Sequence, residues 1–248
     1  MISTRKTILF SIITAAAIGI LIIVANNWRN KTFVNKITIK GNLTISESEI
    51  LTAAGLAADS LINLDELNLA FIRDRIAKHP EIKRVFVSKE PPSELIIEVS
   101  EKKPIAVLVK NTELNLIDDD REVFSIRNFE KVYDLPVING LDESRKDYKS
   151  DLDIAVNFIK SAYAKGKYIQ NQISEINMSD STRLIVFSND RPTVFYFPKI
   201  SRESESAEIY SAKLGVFKKF IDDEIIKKNL NCEYVDLRFS NQIIAKLN

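Results

Sequence analysis

Cysteine, histidine and tryptophan occur once each in the 248 residues, and glycine only six times. The lone Cys232 excludes an internal disulfide framework and any cysteine-rich metal centre, and reads as a buried apolar filler. The lone His79, between a helical stretch and Pro80, excludes an HExxH motif or a two-histidine metal site; a surface or capping role is expected. Six scattered glycines supply neither a phosphate-cradling loop nor a nucleophile elbow. Ser161 has no lysine at the spacing of a serine–lysine nucleophile. The acidic run Asp118, Asp119, Asp120 lacks the glycine spacing of a calcium loop and reads as a solvated turn. Asp236 and Arg238, two apart on a strand, share one face as a polar stripe rather than an acid–base pair. No catalytic residue, cofactor, metal or small-molecule substrate is expected, and an enzyme is disfavoured.

Net charge is also scarce, at +1. Four of the 35 basic residues, Arg5, Lys6, Arg29 and Lys31, fall in the first 31 positions, where no acid occurs. The remainder is slightly acidic, which is the wrong footprint for a nucleic-acid partner.

What is present begins with an apolar run, "ILFSIITAAAIGILIIVA", at residues 8–25. As a helix it would span about 27 Å, close to the hydrocarbon thickness of a bilayer. Ser11 and Thr14 can bond to their own helix carbonyls, and Trp28 follows where an amphipathic ring prefers the interface. A cleaved signal peptide is the rival reading. Its small-x-small site is missing here, because Ala15 and Ala17 lie mid-run and Ile23 and Ala25 precede Asn26. A retained anchor is expected, with residues 1–7 as a short cytoplasmic stub, 26–32 as linker and the bulk outside the membrane.

The next segments alternate between strand and helix signals. Val34, Ile37 and Ile39 mark a strand that ends at the turn Gly41-Asn42. Ser46 is the candidate N-cap of a short helix, with Glu49 as its capping-box partner and Gly55 as its stop. A second helix is read over "NLDELNLAFIRDRIAKHP", capped by Asn63 or Asp65, with Leu64, Leu67, Phe71, Ile72 and Ile76 as its apolar stripe. Pro80 ends it by His79. A hairpin follows, Val85 and Val87 on one arm, Leu95, Ile97 and Val99 on the other, and Pro91-Pro92 in the turn. Two helices covering one face of a three-stranded sheet make a compact α+β unit.

Beyond residue 106, "AVLVKNTELNLIDDDREVFSI" reads as two or three strands turning at 118–120. "LPVING" follows, and then a helix with Leu152, Ala155, Val156, Ile159, Ala162 and Tyr163 on one face, stopped by Gly166. Two strands, "RLIVFS" and "TVFYFP", turn at 189–192. A longer helix over about 204–228 carries Ala207, Tyr210, Leu214, Phe217 and Ile221 on one side. The chain closes on "EYVDLRFSNQIIAKLN".

Taken in order, Ile37, Ile39, Gly41 and Asn42, then Pro80, Ile82, Val85 and Val87, then Leu95, Ile97, Val99, Glu101, Pro104 and Ala106 resemble a POTRA domain. The version is that of the FtsQ/DivIB family of bacterial cell-division proteins. "LPVING" and above all Asp236, Leu237, Arg238 and Phe239 extend the resemblance to the end. It departs in the hairpin turn, where "KEPP" replaces a Trp-Pro pair, and at Ser240-Asn241, where glycine is usual. The resemblance implies an α+β protein with a single N-terminal transmembrane helix. A small POTRA domain (β-α-α-β-β, 33–103) would precede a mixed, mainly antiparallel β domain with two flanking helices (104–248). It also implies a division-site protein of the bacterial inner membrane whose partners are FtsB/FtsL-like coiled-coil proteins.

In the closing ribbon, a three-residue turn over "SNQ" would set Phe239 against Ile243, Leu237 against Ala245, Val235 against Leu247 and Asp236 against Lys246. A two-residue Ser-Asn turn would set Val235 against Lys246, a worse match. Two readings of the last strand compete: an edge covered by the neighbouring helix, or an edge open to a partner's strand. On the second reading the partner-facing residues are Tyr234, Arg238, Gln242, Ile243, Ile244, Ala245 and Lys246. Repeated POTRA units and a long barrel would instead mark an outer-membrane assembly factor, and a chemical constellation would mark an anchored periplasmic enzyme.

Overall fold

The computed structural model describes residues 4–29, 33–56, 62–64, 66–110, 113–126, 133–189 and 192–248. The chain divides into two compact units, Met1–Lys102 and Lys103–Asn248.

The first unit opens with helix α1 (Thr4–Arg29), about 39 Å long at 1.5 Å per residue. It therefore runs past the expected end of the anchor and into the expected linker, of which residues 30–32 lie outside the described residues. Side chains are described for residues 10–25 only, and Phe10, Ile12, Ile20 and Leu21 among them are exposed. Thr14 Oγ1 donates back to the Phe10 carbonyl at 2.5 Å, as its position suggested. Among the described residues no helix is long and apolar enough to cross a membrane. The described side chains of α1 are a stretch shorter than the roughly 20 residues a span needs. The expected single span is therefore not established by the fold.

The rest of this unit is β1 (Lys36–Lys40), α2 (Glu47–Ala54), α3 (Leu69–Ile76), β2 (Ile82–Glu90) and β3 (Glu94–Glu101). β3 is central, parallel to β1 and antiparallel to β2, with Val85 opposite Val99 and Val87 opposite Ile97. Leu95, Ile97 and Val99 are buried together with Ile50, Ile72 and Ile76 of the two helices, so the period-2 and period-3.6 patterns meet in one core. Pro91-Pro92, joined by a cis peptide bond, lie in the turn between β2 and β3.

Several local expectations need correction. Ser46 caps α2 by accepting from the Glu49 N–H, but the Glu49 carboxylate does not return to the cap. It accepts instead from His79 Nε2 at 2.9 Å. His79 is buried rather than on the surface, and its Nδ1 accepts the Glu81 N–H at 3.3 Å. With Nδ1 as acceptor, the proton of the neutral ring sits on Nε2. The cap of α3 is Asn68, whose side chain accepts from Phe71 N–H, not Asn63. Asn63 is instead held in an isolated bridge with Phe33, which removes it from helical geometry; Asp65 lies outside the described residues. Leu64 is still buried, although it precedes the helix.

Glu101 ends β3 and organises the β1–α2 connection. Its carboxylate accepts from the N–H groups of Leu43 (2.7 Å), Thr44 (2.9 Å) and Ile45 (2.9 Å), and from Thr44 Oγ1 (2.6 Å). Burial alone would raise its pKa, but these four donors outweigh it and hold the carboxyl below the ordinary value. Gly41 precedes this connection with φ +82°, and a Cβ there would lie 2.1 Å from the Val99 carbonyl oxygen. Only glycine fits.

The second unit is a nine-stranded sheet. In chain order the strands are β4 (Pro104–Lys110), β5 (Glu113–Asp118), β6 (Val123–Ser125), β7 (Val137–Asn139), β8 (Ile173–Asn177), β9 (Arg183–Ser188), β10 (Val194–Pro198), β11 (Cys232–Asp236) and β12 (Ile244–Leu247). Their spatial order is β12-β11-β10-β9-β8-β7-β4-β5-β6. The pairs β4–β7, β7–β8 and β10–β11 are parallel and the others antiparallel. Residues 190 and 191 of the expected β9–β10 turn lie outside the described residues. Helices α4 (Tyr148–Ala164) and α6 (Glu203–Phe220) share one core with the sheet. Phe158 of α4 meets Phe197 edge-on at 4.8 Å and Tyr210 of α6 at 5.3 Å, and Phe217 meets Phe195 at 4.7 Å. Such pairs add to plain area burial. The fully buried Tyr210 hydroxyl donates to the Pro198 carbonyl and accepts the Ile200 N–H, both at 3.1 Å. Burial pushes its pKa up to about 12.

A short α5 (Lys167–Asn171) follows Gly166, an element its five residues were too few to announce. The long helix expected to about 228 is α-helical only to Phe220 and continues as a π-helical segment, Ile221–Lys227. Asp118 is buried rather than solvated: its Oδ1 accepts the N–H groups of Asp120 (3.0 Å) and Glu122 (2.9 Å), and so shapes the β5–β6 turn.

Candidate partner-docking edge

β11 is the strand on which the terminal ribbon is built. One edge pairs in parallel with β10, Val194 opposite Tyr234 and Tyr196 opposite Asp236. The other pairs with β12, Val235 opposite Ala245, Asp236 opposite Ile244 and Tyr234 opposite Lys246. This register lies two residues from the expected one. The alternation is kept, so each side chain stays on its expected face, but the connection is a loop over 237–243 and not a tight turn. Leu237 N–H continues toward β10, donating to the Tyr196 carbonyl at 2.9 Å, and Arg238 is drawn to Asp236, so neither residue is free to start a tight turn. Lys246 pairs with Glu233 at 2.5 Å instead of with Asp236, and this pair raises the Lys246 pKa.

β12 stands at one end of the strand order, so its second edge has no ladder partner among the described residues. All four of its side chains are exposed, with Ile244 at 40% and Leu247 at 56%. Ile243 and Gln242 precede it in the exposed part of the loop. Edge strands usually carry prolines or inward charges that block pairing. Lys246 is the only charged side chain on this one.

The expected residues thus divide. Gln242, Ile243, Ile244, Ala245 and Lys246 lie along the edge and its approach. Tyr234 and Arg238 are half-buried beside it, on the face of the sheet opposite Val235. There they join Arg183 and Tyr196, which period-2 patterning of "RLIVFS" and "TVFYFP" places on the same face but whose neighbours only the strand order reveals. Tyr234 packs against Tyr196 with ring centroids 5.3 Å apart, and the Arg183 guanidinium lies 4.0 Å above the Tyr196 ring. Arg183 is held by Asp180 at 2.7 Å. The Thr182 backbone N–H, the Thr182 hydroxyl and Arg183 together bring the Asp180 carboxyl down to about 2. Burial disfavours a charged Asp236, yet the bonds from Arg238 prevail and keep its carboxyl below the ordinary range. The result is a rigid aromatic and charged floor next to a bare strand edge. That arrangement can hold an extended polypeptide; it offers no nucleophile with an adjacent base.

A three-stranded sheet covered by α2 and α3, followed along the chain by a larger sheet whose terminal strand has an unpaired edge among the described residues, defines a protein of the POTRA-plus-β-domain class. The profile described as "POTRA domain, FtsQ-type" matches residues 33–102, and that described as "Cell division protein FtsQ/DivIB, C-terminal" matches residues 106–238. The second match alone covers more than half of the chain, which therefore belongs to the FtsQ/DivIB family of cell division proteins. Similar proteins include the cell division protein FtsQ of Syntrophotalea carbinolica, 25% identical over 220 residues, covering 86% of this chain and 73% of that protein. That of Geotalea daltonii is 26% identical over 244 residues, covering 96% and 83%. That of Myxococcus fulvus is 30% identical over 128 residues, covering 52% and 43%.

Proposed function

We propose that this protein is a non-enzymatic, single-pass membrane scaffold of the bacterial division machinery that captures a partner by strand addition at β12. The observation that carries this reading is the second edge of β12, without a ladder partner among the described residues and flanked by the exposed Ile244. The partners are FtsB/FtsL-like coiled-coil division proteins, by likeness to the family. Holding them at the division site would link its assembly to septal peptidoglycan synthesis. The POTRA unit contacts other membrane proteins of the same assembly.

Magnitudes support a contact of this kind only within a membrane. Four residues of pairing provide a few backbone bonds at about 0.5–1.5 kcal/mol each, which gives micromolar binding or weaker. Packing on Ile244 and the Tyr234–Tyr196 floor adds to this. Anchoring all partners in one bilayer raises their effective concentration and offsets weak intrinsic affinity. The apolar run at residues 8–25, inside the 26-residue helix α1, is the anchor in this reading, with the bulk on the periplasmic side.

The test is a photo-cross-linker at position 244 of the full chain in membranes of dividing cells. Cross-links to a small single-pass coiled-coil protein are expected, together with loss of its capture in Ile244→Asp at unchanged folded stability. Undiminished capture by Ile244→Asp would remove this site.

A further inference from the structure

A free edge is useful only if it is assembled before a partner arrives, and β12 has little of its own to keep it in place. Its four residues are all exposed and none reaches the core, so local opening costs less here than in the inner strands. The loop over 237–243 contains no backbone–backbone bond across its ends among the described residues. Its first three residues, by contrast, are gripped from three directions. Leu237 N–H is bonded to β10, and Arg238 is forked onto Asp236. From the helical layer, Lys213 Nζ of α6 donates to the Phe239 carbonyl at 2.5 Å.

We propose that Lys213 is a positioning residue for the docking edge: its bond to the Phe239 carbonyl sets where the chain re-enters the sheet and keeps β12 paired while the edge is empty. The proposal rests on the strand-addition reading and names what controls that site. Other cations nearby are committed elsewhere, Arg238 to Asp236 and Lys246 to Glu233. Lys213 is half-buried, and the desolvation that lowers its pKa is countered by the Asp236 carboxylate. The stem of Lys213 lies along the sheet while its ammonium stays at the surface and commits one donor to the Phe239 carbonyl. The grip acts through preorganisation: a partner meeting a paired β12 has less chain to order on binding. Control of the edge therefore comes from α6, which Tyr210, Leu214 and Phe217 lock into the core beside Lys213.

Hydrogen exchange on the full chain in lipid nanodiscs, with no partner added, tests this. In Lys213→Met the amides bonded across β11 and β12, including Asn248 N–H on the Asn231 carbonyl, are expected to exchange roughly tenfold faster. Those of β8 and β9 should be unchanged. Lys213→Arg, which keeps a cationic donor, should stay within about twofold of the parent. Unchanged exchange in β12, or equal acceleration in every strand, overturns the proposal. Because no partner is present, the result stands apart from the cross-linking at position 244, and either idea can fail while the other survives.

Discussion

Asp236 and Arg238 are joined by two parallel bonds, Arg238 Nε to Asp236 Oδ1 at 3.0 Å and Nη2 to Oδ2 at 2.7 Å, at the point where β11 leaves the sheet. The Arg238 N–H adds a third bond to Oδ1 at 3.0 Å. One carboxylate thus fixes both the side chain and the backbone of the residue two positions on. The rigid planar fork of arginine makes the pairing geometric as well as ionic.

Removing the guanidinium leaves a buried carboxylate short of its partner. Arg238→Met is expected to destabilise the second unit by about 1–2 kcal/mol, a figure reduced from that of a deeply buried pair because Arg238 is partly solvated. Urea unfolding followed by tyrosine fluorescence measures it, since all seven tyrosines lie in this unit. Asp236→Asn combined with Arg238→Met should recover part of the loss; a double variant as unstable as the two single losses added together would show that the pair does not act as a unit.

Glu101 predicts an acid response of the first unit. Its folded pKa lies below the ordinary value of 4.5, so the unfolded state binds protons more readily. Its contribution is therefore complete above that value and is lost as pH falls below it, through the folded pKa. Glu101→Gln should cost about 1.5–3 kcal/mol near neutral pH. It should also flatten the decline of stability below the ordinary carboxylate value, read as urea midpoints across an acid series. An unaltered slope would remove Glu101 as a source of that decline.

Gly41→Ala should be among the most damaging single substitutions in the first unit. The added methyl meets the Val99 carbonyl of the central strand, and the position needs a left-handed backbone. A loss of more than about 2 kcal/mol is expected, measured by thermal unfolding. A near-neutral result would mean that the β1–α2 turn can be rebuilt another way.

Tyr210→Phe keeps the ring packed against Phe158 and removes only the hydroxyl. It leaves the Pro198 carbonyl and the Ile200 N–H without that partner, at about 1–3 kcal/mol. Equilibrium unfolding at neutral pH checks this, with a negligible change as the contrary outcome.

Much of the fold was legible because its periodicities are strong. Leu95, Ile97 and Val99 alternate as a strand must, and Leu152, Ala155, Val156 and Ile159 recur as a helix must. Ser46 and Gly55 bracket α2 by capping chemistry that acts within a few residues. What failed was chosen over longer distances. Glu49 has two possible acceptor duties, a cap three residues away and His79 thirty residues away, and burial of the imidazole decided for the second. Asn63 has the chemistry of a cap, but its bridge to Phe33 takes it out of the helix. The expected hairpin register followed from pairing two adjacent segments alone. The true register also depends on β10, which arrives from forty residues upstream and draws Leu237 away from any tight turn.

The sequence by itself determined the main helices and strands and the faces of the strands, since side-chain periodicity and local capping are properties of neighbouring residues, and its motifs pointed to the family. It also singled out the last strand by its apolar alternation, but left open whether its edge is covered or free. Only the tertiary structure decided that β12 lies outermost, that its loop is gripped by Arg238 and Lys213, and that Arg183 and Tyr196 stand beside Tyr234. The physical reason is that strand neighbours across a sheet are selected by backbone pairing and shared burial between distant segments, and one-dimensional spacing carries no term for either.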